Sequence, residues 1–554
     1  MVKVVRIRRL GLGRIAAATT MLCLTSCLSG QALPSAPPEA TGSAPTGVSK
    51  TAAGKLPILE YMHRAWDTLS RSMVDCKSVR DVKVTTAPIL YLPAGMAEPA
   101  AVRAMRSACG LEVMRLPRKI THLGEVMPQE LKRPGLLFLP NKYVVPGGRF
   151  NEMYGWDSYF IILGLTADGR ADLAKGMVEN FEFEIENYGA VLNANRTYFL
   201  TRSQPPLLAE MIREVHASEA GASREWLSRA YAAAEKDYAL WVTPAHQAGK
   251  TGLARYFDIG EGPVLEMADD STYYPDAIRW MLAHQDVGGE YLVPAARGDA
   301  ASCDQRLTAV CVHAEVDGMR LTRDFYEGDR AMRESGFDTS FRFGPFSGST
   351  HHFAPVCLNS LLYKYEIDMA AFAKELGKKN EAATWTRRAA LRKAAINQYL
   401  WDAPTGLYMD YDFTRGRRST YLYTSVFYPL WAGVASPVQA AGVQKALPRL
   451  EAEHGLAMSD TISGMQWDRP FGWAPETWFA VVGLRSAAFK TDGDRLAEEF
   501  RTTVEANYLR DENVREKYNV ETGSTTVLVT AGYKTNATGF GWTNGVYLRL
   551  LPER

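Results

Sequence analysis

"LLYKYEIDMAAFAKELG" (361–377) and "NEAATWTRRAALRKAAINQYLWD" (380–402) follow each other with two residues between them. In both stretches apolar residues recur every three or four positions, which is the spacing that gives a helix one apolar face. Three earlier stretches share this pattern: 171–189, 205–221 and 224–242. Segments rich in Gly, Pro and aromatic residues alternate with these helices, and long strands of alternating polarity are scarce. The sequence therefore predicts one large all-α domain, with its chemistry on the loops. The pattern fits a closed helical barrel and an open solenoid equally well.

The composition narrows the class of substrate. The chain has 554 residues, of which 46% are hydrophobic and 23% are charged, so it can bury a large core. Its 63 Lys and Arg residues balance 62 Asp and Glu residues, which leaves a formal net charge of +1. Because no large basic excess exists, the composition argues against binding to nucleic acid or to an anionic membrane surface. A neutral small molecule is the expected substrate.

The N-terminal residues "MVKVVRIRRLGLGRIAAATTMLCLTSC" combine a basic start with an apolar run too short to span a bilayer. Their ending resembles a bacterial lipobox, which predicts a lipoprotein signal peptide at 1–27 and lipidation of Cys27. Ordinary signal-peptidase cleavage is the alternative. Residues 28–55 are rich in Pro, Ser, Ala and Gly, which predicts a flexible tether before a catalytic domain at 56–554. The expectation is an exported, periplasmic protein that touches a membrane only through its lipid; Leu28 favours the outer membrane.

Cysteine and histidine spacing gives no metal motif. Beyond the signal region five cysteines remain, and the expected disulfides are Cys76–Cys109 and Cys303–Cys311, with Cys357 left free. His351 and His352 are adjacent, but no acidic residue or cysteine flanks them at ligand spacing. The sequence therefore predicts neither a metal ion nor another cofactor.

Four loops contain an unusual density of aromatic, amide and charged residues. They are "PGGRFNEMYGWDSYF" (146–160) with Arg149, Trp156 and Asp157; "NANRTYFLTRSQPP" (193–206) with Asn193, Arg202 and Gln204; "QWDRPFGWAPETW" (466–478) with Gln466, Trp467, Asp468 and Trp473; and "TGFGWTNGV" (538–546) with Trp542 and Asn544. Flat rings stack on the C–H faces of sugars, while charged and amide groups hydrogen-bond the hydroxyls. Any one of these motifs fits a structural loop, but four of them together predict a carbohydrate site.

Two carboxylates are candidates for acid–base chemistry. In "RESGFDTSFRFG" (333–344), Asp338 stands among small and aromatic residues, where lost hydration would raise its pKa and favour the acid form. A turn Asp that hydrogen-bonds its own backbone is the alternative. In "NVREKYNVETG" (513–523), Glu516 is the candidate partner, and Glu521 and Asp511 fit by chemistry nearly as well. A glycosidase needs two such carboxyls flanking the bond that it cleaves.

These residues carry a family resemblance. "PGGRFNEMYGWDSYF" and "QWDRPFGWAP" closely resemble the two signature motifs of the trehalase family of glycoside hydrolases, and "RTYFLTRSQPP", "ESGFDTSFRF", "LNSLLYKYE", "EKYNVE" and "GFGWTNG" follow in the family's order. The resemblance implies an (α/α)6 barrel that hydrolyses α,α-trehalose to two glucoses with inversion and without a metal. It implies that Asp338 is the general acid and Glu516 the general base. It also implies sugar contacts, carried by Arg149, Trp156, Asp157, Asn193, Arg202, Ser203, Gln204, Glu266, Gly336, Gln466, Trp467 and Asp468.

The chain departs from the family pattern at several positions. Phe337 replaces a Trp and Ala194 a Gly; Val264 stands where an Arg is expected, and Gly532 where a sugar-contacting Glu is expected. Neighbouring arginines, Arg330 and Arg333, are candidates to replace the missing guanidinium. The predicted function is that of a monomeric inverting trehalase. The alternatives are an α-glucosidase with the same mechanism and another α-glucoside as substrate, or a non-catalytic sugar-binding lipoprotein.

Overall fold

The computed structural model describes residues 56–80, 87–269, 272–297, 314–530 and 535–552. The predicted signal peptide, Cys27, the tether, Cys303, Cys311 and Gly532 lie outside the described residues. Within them the longer helices are Ile58–Leu69, Ala100–Cys109, Asp157–Ala167, Ala171–Tyr188, Leu208–His216, Arg224–Leu240, Tyr273–Ala283, Arg323–Ser335, Val356–Glu375, Lys379–Ala395, Pro437–Leu450, Ala474–Ser486, Lys490–Asp511 and Gly541–Arg549. Four-residue helices span Cys76–Val79, Gln285–Gly288 and Tyr428–Trp431. Short 3₁₀ segments include Thr197–Phe199, Leu265–Asp269, Pro345–Ser347, Thr350–His352 and Thr424–Phe427.

Six helices pack side by side into a closed inner ring. In order around the ring they are Asp157–Ala167, Leu208–His216, Val356–Glu375, Tyr428–Trp431, Ala474–Ser486 and Gly541–Arg549, and the last packs against the first. That final contact is very close, because a Cβ atom on Gly545 would lie 2.0 Å from the carbonyl oxygen of Phe160. A solenoid has no contact between its ends. The helices therefore form a closed barrel, which the sequence pattern alone could not decide.

Burial distinguishes the inner helices from the outer ones. Ala474–Ser486 buries nearly every residue, as expected of a helix that lies inside a core. Lys490–Asp511, which follows it and packs against it, buries mainly one stripe and presents charged residues on its other side. Val356–Glu375 packs in the same way against Lys379–Ala395, the outer helix that follows it in the chain. Apolar spacing in the sequence predicts both helices.

Strands are short and mostly lie in the connections. They are Ser70–Arg71, Ile89–Leu92, Glu112–Arg115, Leu136–Leu137, Tyr143–Val144, Leu292–Pro294, Met319–Leu321, Phe353–Ala354, Trp401–Asp402, Leu407–Tyr408, Tyr411–Asp412, Arg417–Arg418, Glu451–Ala452, Gly455–Leu456, Phe471–Trp473 and Lys517–Asn519. Ile89–Leu92 is the middle strand of a small parallel sheet, between Glu112–Arg115 and Leu136–Leu137. The sequence pattern did not predict this sheet. The expected disulfide between Cys76 and Cys109 links the two helices beside it, and Cys357 is free and buried.

Two apolar clusters surround the segment that carries Asp338. The main cluster fills the barrel, and a second, smaller cluster contains Val264, Tyr273, Phe325 and Phe346. Phe337 belongs to the main cluster. The segment that follows the helix Arg323–Ser335 is thus packed on both sides. In the described part of the chain, no helix is long and apolar enough to cross a membrane.

Candidate active site

A cavity lies where the segments that precede three inner helices meet. These segments lead into Asp157–Ala167, Ala474–Ser486 and Gly541–Arg549. The cavity is lined by Pro146, Arg149, Phe150, Tyr154, Trp156, Asp157, Gln204, Gly336, Asp338, Gln466, Trp467, Trp473, Glu516, Phe540 and Trp542. All four aromatic-rich loops of the sequence analysis contribute to it, and so do both predicted catalytic carboxylates.

Asp338 reaches the cavity from the end of the helix Arg323–Ser335. Gly336 ends this helix in the left-handed conformation, with φ +79°, and a Cβ atom there would lie 2.7 Å from the Trp156 ring. Only glycine meets both conditions. Burial raises the pKa of Asp338 to about 7, although the Arg333 guanidinium, 3.7 Å from the carboxylate, opposes the shift. The side chain still exposes 24% of its surface, so the carboxyl group remains accessible.

Glu516 is held by a two-stranded sheet that joins two of the motifs. Strand Phe471–Trp473 pairs antiparallel with Lys517–Asn519, and this pairing places Trp473 opposite Lys517. The ammonium of Lys517 is fully buried, lies 3.1 Å from the Glu516 carboxylate and lies 4.7 Å from the centre of the Trp473 ring. A buried ammonium compensates the negative charge on a neighbouring carboxylate.

The other two candidates for the second carboxylate lie elsewhere. Glu521 forms an ion pair with Arg469, and Asp511 forms one with Arg510. Neither lines the cavity. Of the three candidates, only Glu516 lines the cavity together with Asp338.

Asp157 is a third carboxyl group in the same cavity. It begins the helix Asp157–Ala167 and is 5% exposed. Burial raises its pKa well above the usual range, and the charges of Glu516 and Asp338 add to the shift. A neutral Asp157 can donate a hydrogen bond to a sugar hydroxyl as well as accept one.

Aromatic rings form the wall of the cavity. Trp467 and Trp473 stack with their ring centres 3.8 Å apart and their planes 5° apart. Trp156 contacts both Trp467 and Trp542. Such rings present flat apolar faces to the C–H groups of a sugar. Trp473 and Trp542 were named in the loops that predict a carbohydrate site, although the family resemblance assigned them no sugar contact. Phe540 was only quoted within its motif, and the aromatic density of that motif was the available signal. Phe150 and Tyr154 were likewise quoted and not singled out.

Comparisons with known proteins agree with one another. A family model described as "Trehalase" matches residues 91–554. The cytosolic neutral trehalase of Saccharomyces cerevisiae is 36% identical over 546 residues, covering 87% of this chain and 69% of that protein. That of Neurospora crassa is 35% identical over 553 residues, covering 87% and 71%. The solved structure of the Saccharomyces cerevisiae neutral trehalase superposes with a TM-score of 0.71 at 33% identity, covering 88% of this chain and 93% of that one.

This chain belongs to the trehalase family. The predicted resemblance, the (α/α)6 barrel and the assignment as a glycoside hydrolase are thereby confirmed. The predicted domain boundaries, the monomeric state and the lack of a cofactor stay predictions.

The predicted localisation is wrong. The sequence predicts an exported, periplasmic protein with a signal peptide at 1–27 and a lipid on Cys27, whereas relatives that align with 87% of this chain, at 36% and 35% identity, are named cytosolic. The pattern behind that expectation covers 27 residues of basic, apolar and small types. Such a short compositional pattern carries far less information than 36% identity over 546 residues.

Five predicted trehalase-site residues do not line this cavity: Asn193, Arg202, Ser203, Glu266 and Asp468. Arg202 is buried and joins three of its neighbours. It donates to Asn193 Oδ1 at 2.9 Å, is hydrogen-bonded to Glu266, and lies 3.6 Å from Asp258. These contacts hold the loop 193–206 against the segment that contains Glu266.

Ser203 and Asp468 also form hydrogen bonds with neighbouring groups of the protein. The Ser203 hydroxyl donates its proton to the Val191 carbonyl oxygen at 2.6 Å, so this proton is already engaged in a hydrogen bond within the protein. Asp468 accepts hydrogen bonds from Ser463 Oγ at 2.6 Å and from the Phe341 backbone N–H at 2.8 Å. Burial raises the pKa of Asp468 to about 7. It therefore anchors the segment that follows Asp338.

The departures from the family pattern have distinct structural outcomes. The Val264 side chain is fully buried in the second apolar cluster and does not line the cavity. Arg330 donates to Gly262 O and Asp258 Oδ2, so it fastens the loop before Val264 and cannot also replace the missing guanidinium. Arg333 lies 3.7 Å from the Asp338 carboxylate, but it also forms an ion pair with Asp329 at 3.2 Å and does not line the cavity.

Proposed function

We propose that this chain hydrolyses α,α-trehalose to two glucose molecules by an inverting general acid–base mechanism. The observation that carries the proposal is the presence of Asp338 and Glu516 in one aromatic-walled cavity. Trehalose is neutral and presents C–H faces to the tryptophans and hydroxyls to the polar side chains, so it suits the walls of this site. The names of the relatives, neutral trehalases of two fungi, support the same substrate.

The two carboxyls take different roles in this mechanism. Asp338, with its pKa raised to about 7, retains a proton near neutral pH and gives it to the oxygen that bridges the two glucoses. The bridging C–O bond breaks, and one glucose leaves as a neutral molecule. Glu516, whose charge is compensated by Lys517, accepts a proton from a water molecule that attacks the anomeric carbon from the opposite face. Inversion requires a gap of about 6.5–9.5 Å between the carboxyls to admit that water.

Single substitutions of the two carboxyls test the roles. Asp338→Asn and Glu516→Gln remove the proton donor and acceptor with little change of shape. We expect each to lower kcat on trehalose by roughly 10²–10⁴-fold, the usual contribution of a general acid or base, while calorimetry still detects trehalose binding. Asp511→Asn, which changes a carboxylate outside the cavity, is the matched control and should keep full activity. Wild-type kcat in either site variant would refute the assignment.

A second candidate substrate is another α-glucoside, cleaved by the same two residues. The buried position of Val264 favours it, because an arginine contact expected in the family is missing there. Loss of a charged hydrogen bond lowers affinity for the sugar that used it. Rates on trehalose, maltose, kojibiose and an aryl α-glucoside distinguish the candidates. Trehalose must give the highest kcat/KM if the first proposal holds.

A further inference from the structure

Outside the active-site cavity, Asp324, His351 and His352 bring their ligand atoms within 4.8 Å of one another, and Glu327 lies beside His351 as a candidate fourth ligand. Asp324 and Glu327 lie in the first turns of the helix Arg323–Ser335, three residues apart and therefore on one face. His351 and His352 lie in the 3₁₀ segment Thr350–His352, which packs against this helix. We call these four residues the Asp324 cluster. The sequence-based exclusion of a metal assumed that no acidic residue accompanies the histidines, and the fold supplies two from the preceding helix.

The spacing of the ligand atoms fits one small ion. Nε2 of His351 and Nε2 of His352 each lie 3.1 Å from Asp324 Oδ1. Glu327 Oε2 lies 3.7 Å from His351 Nε2. Tetrahedral zinc binds nitrogen and oxygen at about 2.0–2.1 Å, which places neighbouring ligand atoms about 3.3–3.4 Å apart. The observed separations of 3.1 Å are slightly shorter than this ligand spacing, and that of 3.7 Å is slightly longer.

Electrostatics around the cluster also favours a cation. In the described residues, neither Asp324 nor Glu327 has a Lys or Arg at ion-pair distance, and their carboxylates meet only the two histidines. The guanidinium of Arg255 donates to the His351 carbonyl oxygen at 2.9 Å rather than to a carboxylate of the cluster. Both carboxylates are half exposed, which leaves the ion a route of entry.

We propose that the Asp324 cluster binds one Zn²⁺ ion. Imidazole with carboxylate ligands suits zinc, whereas Ca²⁺ and Mg²⁺ prefer sites made of oxygen alone. The ion connects the first turn of the helix Arg323–Ser335 to the turn that ends at His352. Asp338 lies between these two points in the chain, so the metal fastens the catalytic segment at both ends. The role is structural, and it stands independently of the proposed reaction.

One feature sets an upper limit on the affinity. His351 Nδ1 is buried and has no hydrogen-bond partner among the described residues. Metal-binding histidines usually donate this second N–H to a partner, and loss of that contact weakens binding by about 10–100-fold. We therefore expect weaker binding than in closed structural zinc sites.

Zinc binding to the untagged, chelator-treated full chain tests the proposal. We expect calorimetry to give one equivalent of Zn²⁺, and Zn²⁺ but not Mg²⁺ to raise the thermal unfolding temperature. His352→Gln and Asp324→Asn should each weaken binding at least tenfold and abolish the rise. His63→Gln is the matched control, because His63 is an exposed histidine 2.9 Å from a single carboxylate, that of Asp168. This control should behave as the wild type does.

Two outcomes would overturn the proposal. The first is no zinc-dependent stabilisation of the wild-type chain. The second is stabilisation that survives in the cluster variants. His352 keeps the test decisive if Asp324→Asn does not fold, because its side chain is 25% exposed and its loss leaves the helix start intact.

Discussion

Asp338 links local burial to the pH dependence of the enzyme. Burial raises its pKa to about 7, and the proposed mechanism uses the protonated form. The kcat/KM for trehalose should therefore fall as the pH rises above about 7, because the fraction of Asp338 that can donate a proton decreases tenfold per pH unit. The profile of kcat/KM against pH, with circular dichroism at each pH to confirm folding, measures this. A rate that stays constant up to pH 9 would exclude Asp338 as the acid.

Gly336 positions Asp338 by two separate constraints, and they can be tested separately. Gly336→Ala introduces strain of about 1–2 kcal/mol at φ +79° and also pushes a methyl group into Trp156. Gly110→Ala is the control, because Gly110 ends its helix at φ +64° with nothing within 4 Å of an added Cβ atom. Both variants should lose stability in thermal unfolding. Only Gly336→Ala should also lose kcat/KM, by tenfold or more; equal activity in the two variants would mean that the Trp156 contact is irrelevant.

Sequence was informative about residues that carry short, dense motifs. The cavity contains both predicted catalytic carboxyls and the tryptophans of the two signatures. The sequence could not reveal which polar residues of these motifs do not line the cavity, because Ser203 is distinguished from a sugar ligand only by its hydrogen bond to Val191. Nor could it tell that Arg330 is occupied by the loop before Val264. These hydrogen bonds join segments that are distant in sequence, so the sequence alone does not show them.

Among the elements, the two-stranded sheet at Glu516 bears directly on the proposed mechanism. It places the buried Lys517 beside the proposed base. Lys517→Met should lower kcat on trehalose at least tenfold, because the Glu516 carboxylate loses the cation that stabilises its charge, and breaking a buried pair costs about 3–5 kcal/mol. Lys490→Met, which breaks an exposed helical ion pair with Asp494, should leave kcat unchanged. A Lys517 variant as active as this control would contradict the role of the pair.

Helices and strands could be predicted from the sequence where their apolar residues recur at a regular spacing. Amphipathic outer helices such as Lys379–Ala395 follow from apolar spacing. The inner helix Gly541–Arg549 is buried over its first seven residues and shows little periodicity, so only its loop motif drew notice. Strands of two to four residues are too short for alternation to develop, which is why the parallel sheet around Ile89–Leu92 was missed.

At the scale of the molecule, closure of the ring makes the two ends of the domain depend on each other. The final helix packs against Asp157–Ala167, and Gly545 permits a contact that any side chain would block. Gly545→Ala should lower the free energy of unfolding by about 1–3 kcal/mol through overpacking, in one cooperative transition. Gly176→Ala, in a helix where an added Cβ atom comes no closer than 3.4 Å to its neighbours, should be neutral or stabilising. Calorimetry that finds separate melting of the final helix would contradict a closed ring.

Closure itself was beyond the reach of the sequence pattern. A barrel and a solenoid contain the same amphipathic helix pairs and differ only in whether the last pair meets the first. The resemblance to the trehalase family supplied the missing information in advance, and the contact between Phe160 and Gly545 supplies it in the structure.

The most direct test of the central claim is a proton NMR time course of the purified protein mixed with trehalose. Both anomeric carbons of trehalose have the α configuration, so hydrolysis with inversion at one of them releases one β-glucose and one α-glucose. We expect both anomers to appear in equal amounts before mutarotation. Early α-glucose alone would mean retention and would contradict the roles of Asp338 and Glu516, and no glucose at all would contradict the proposed substrate.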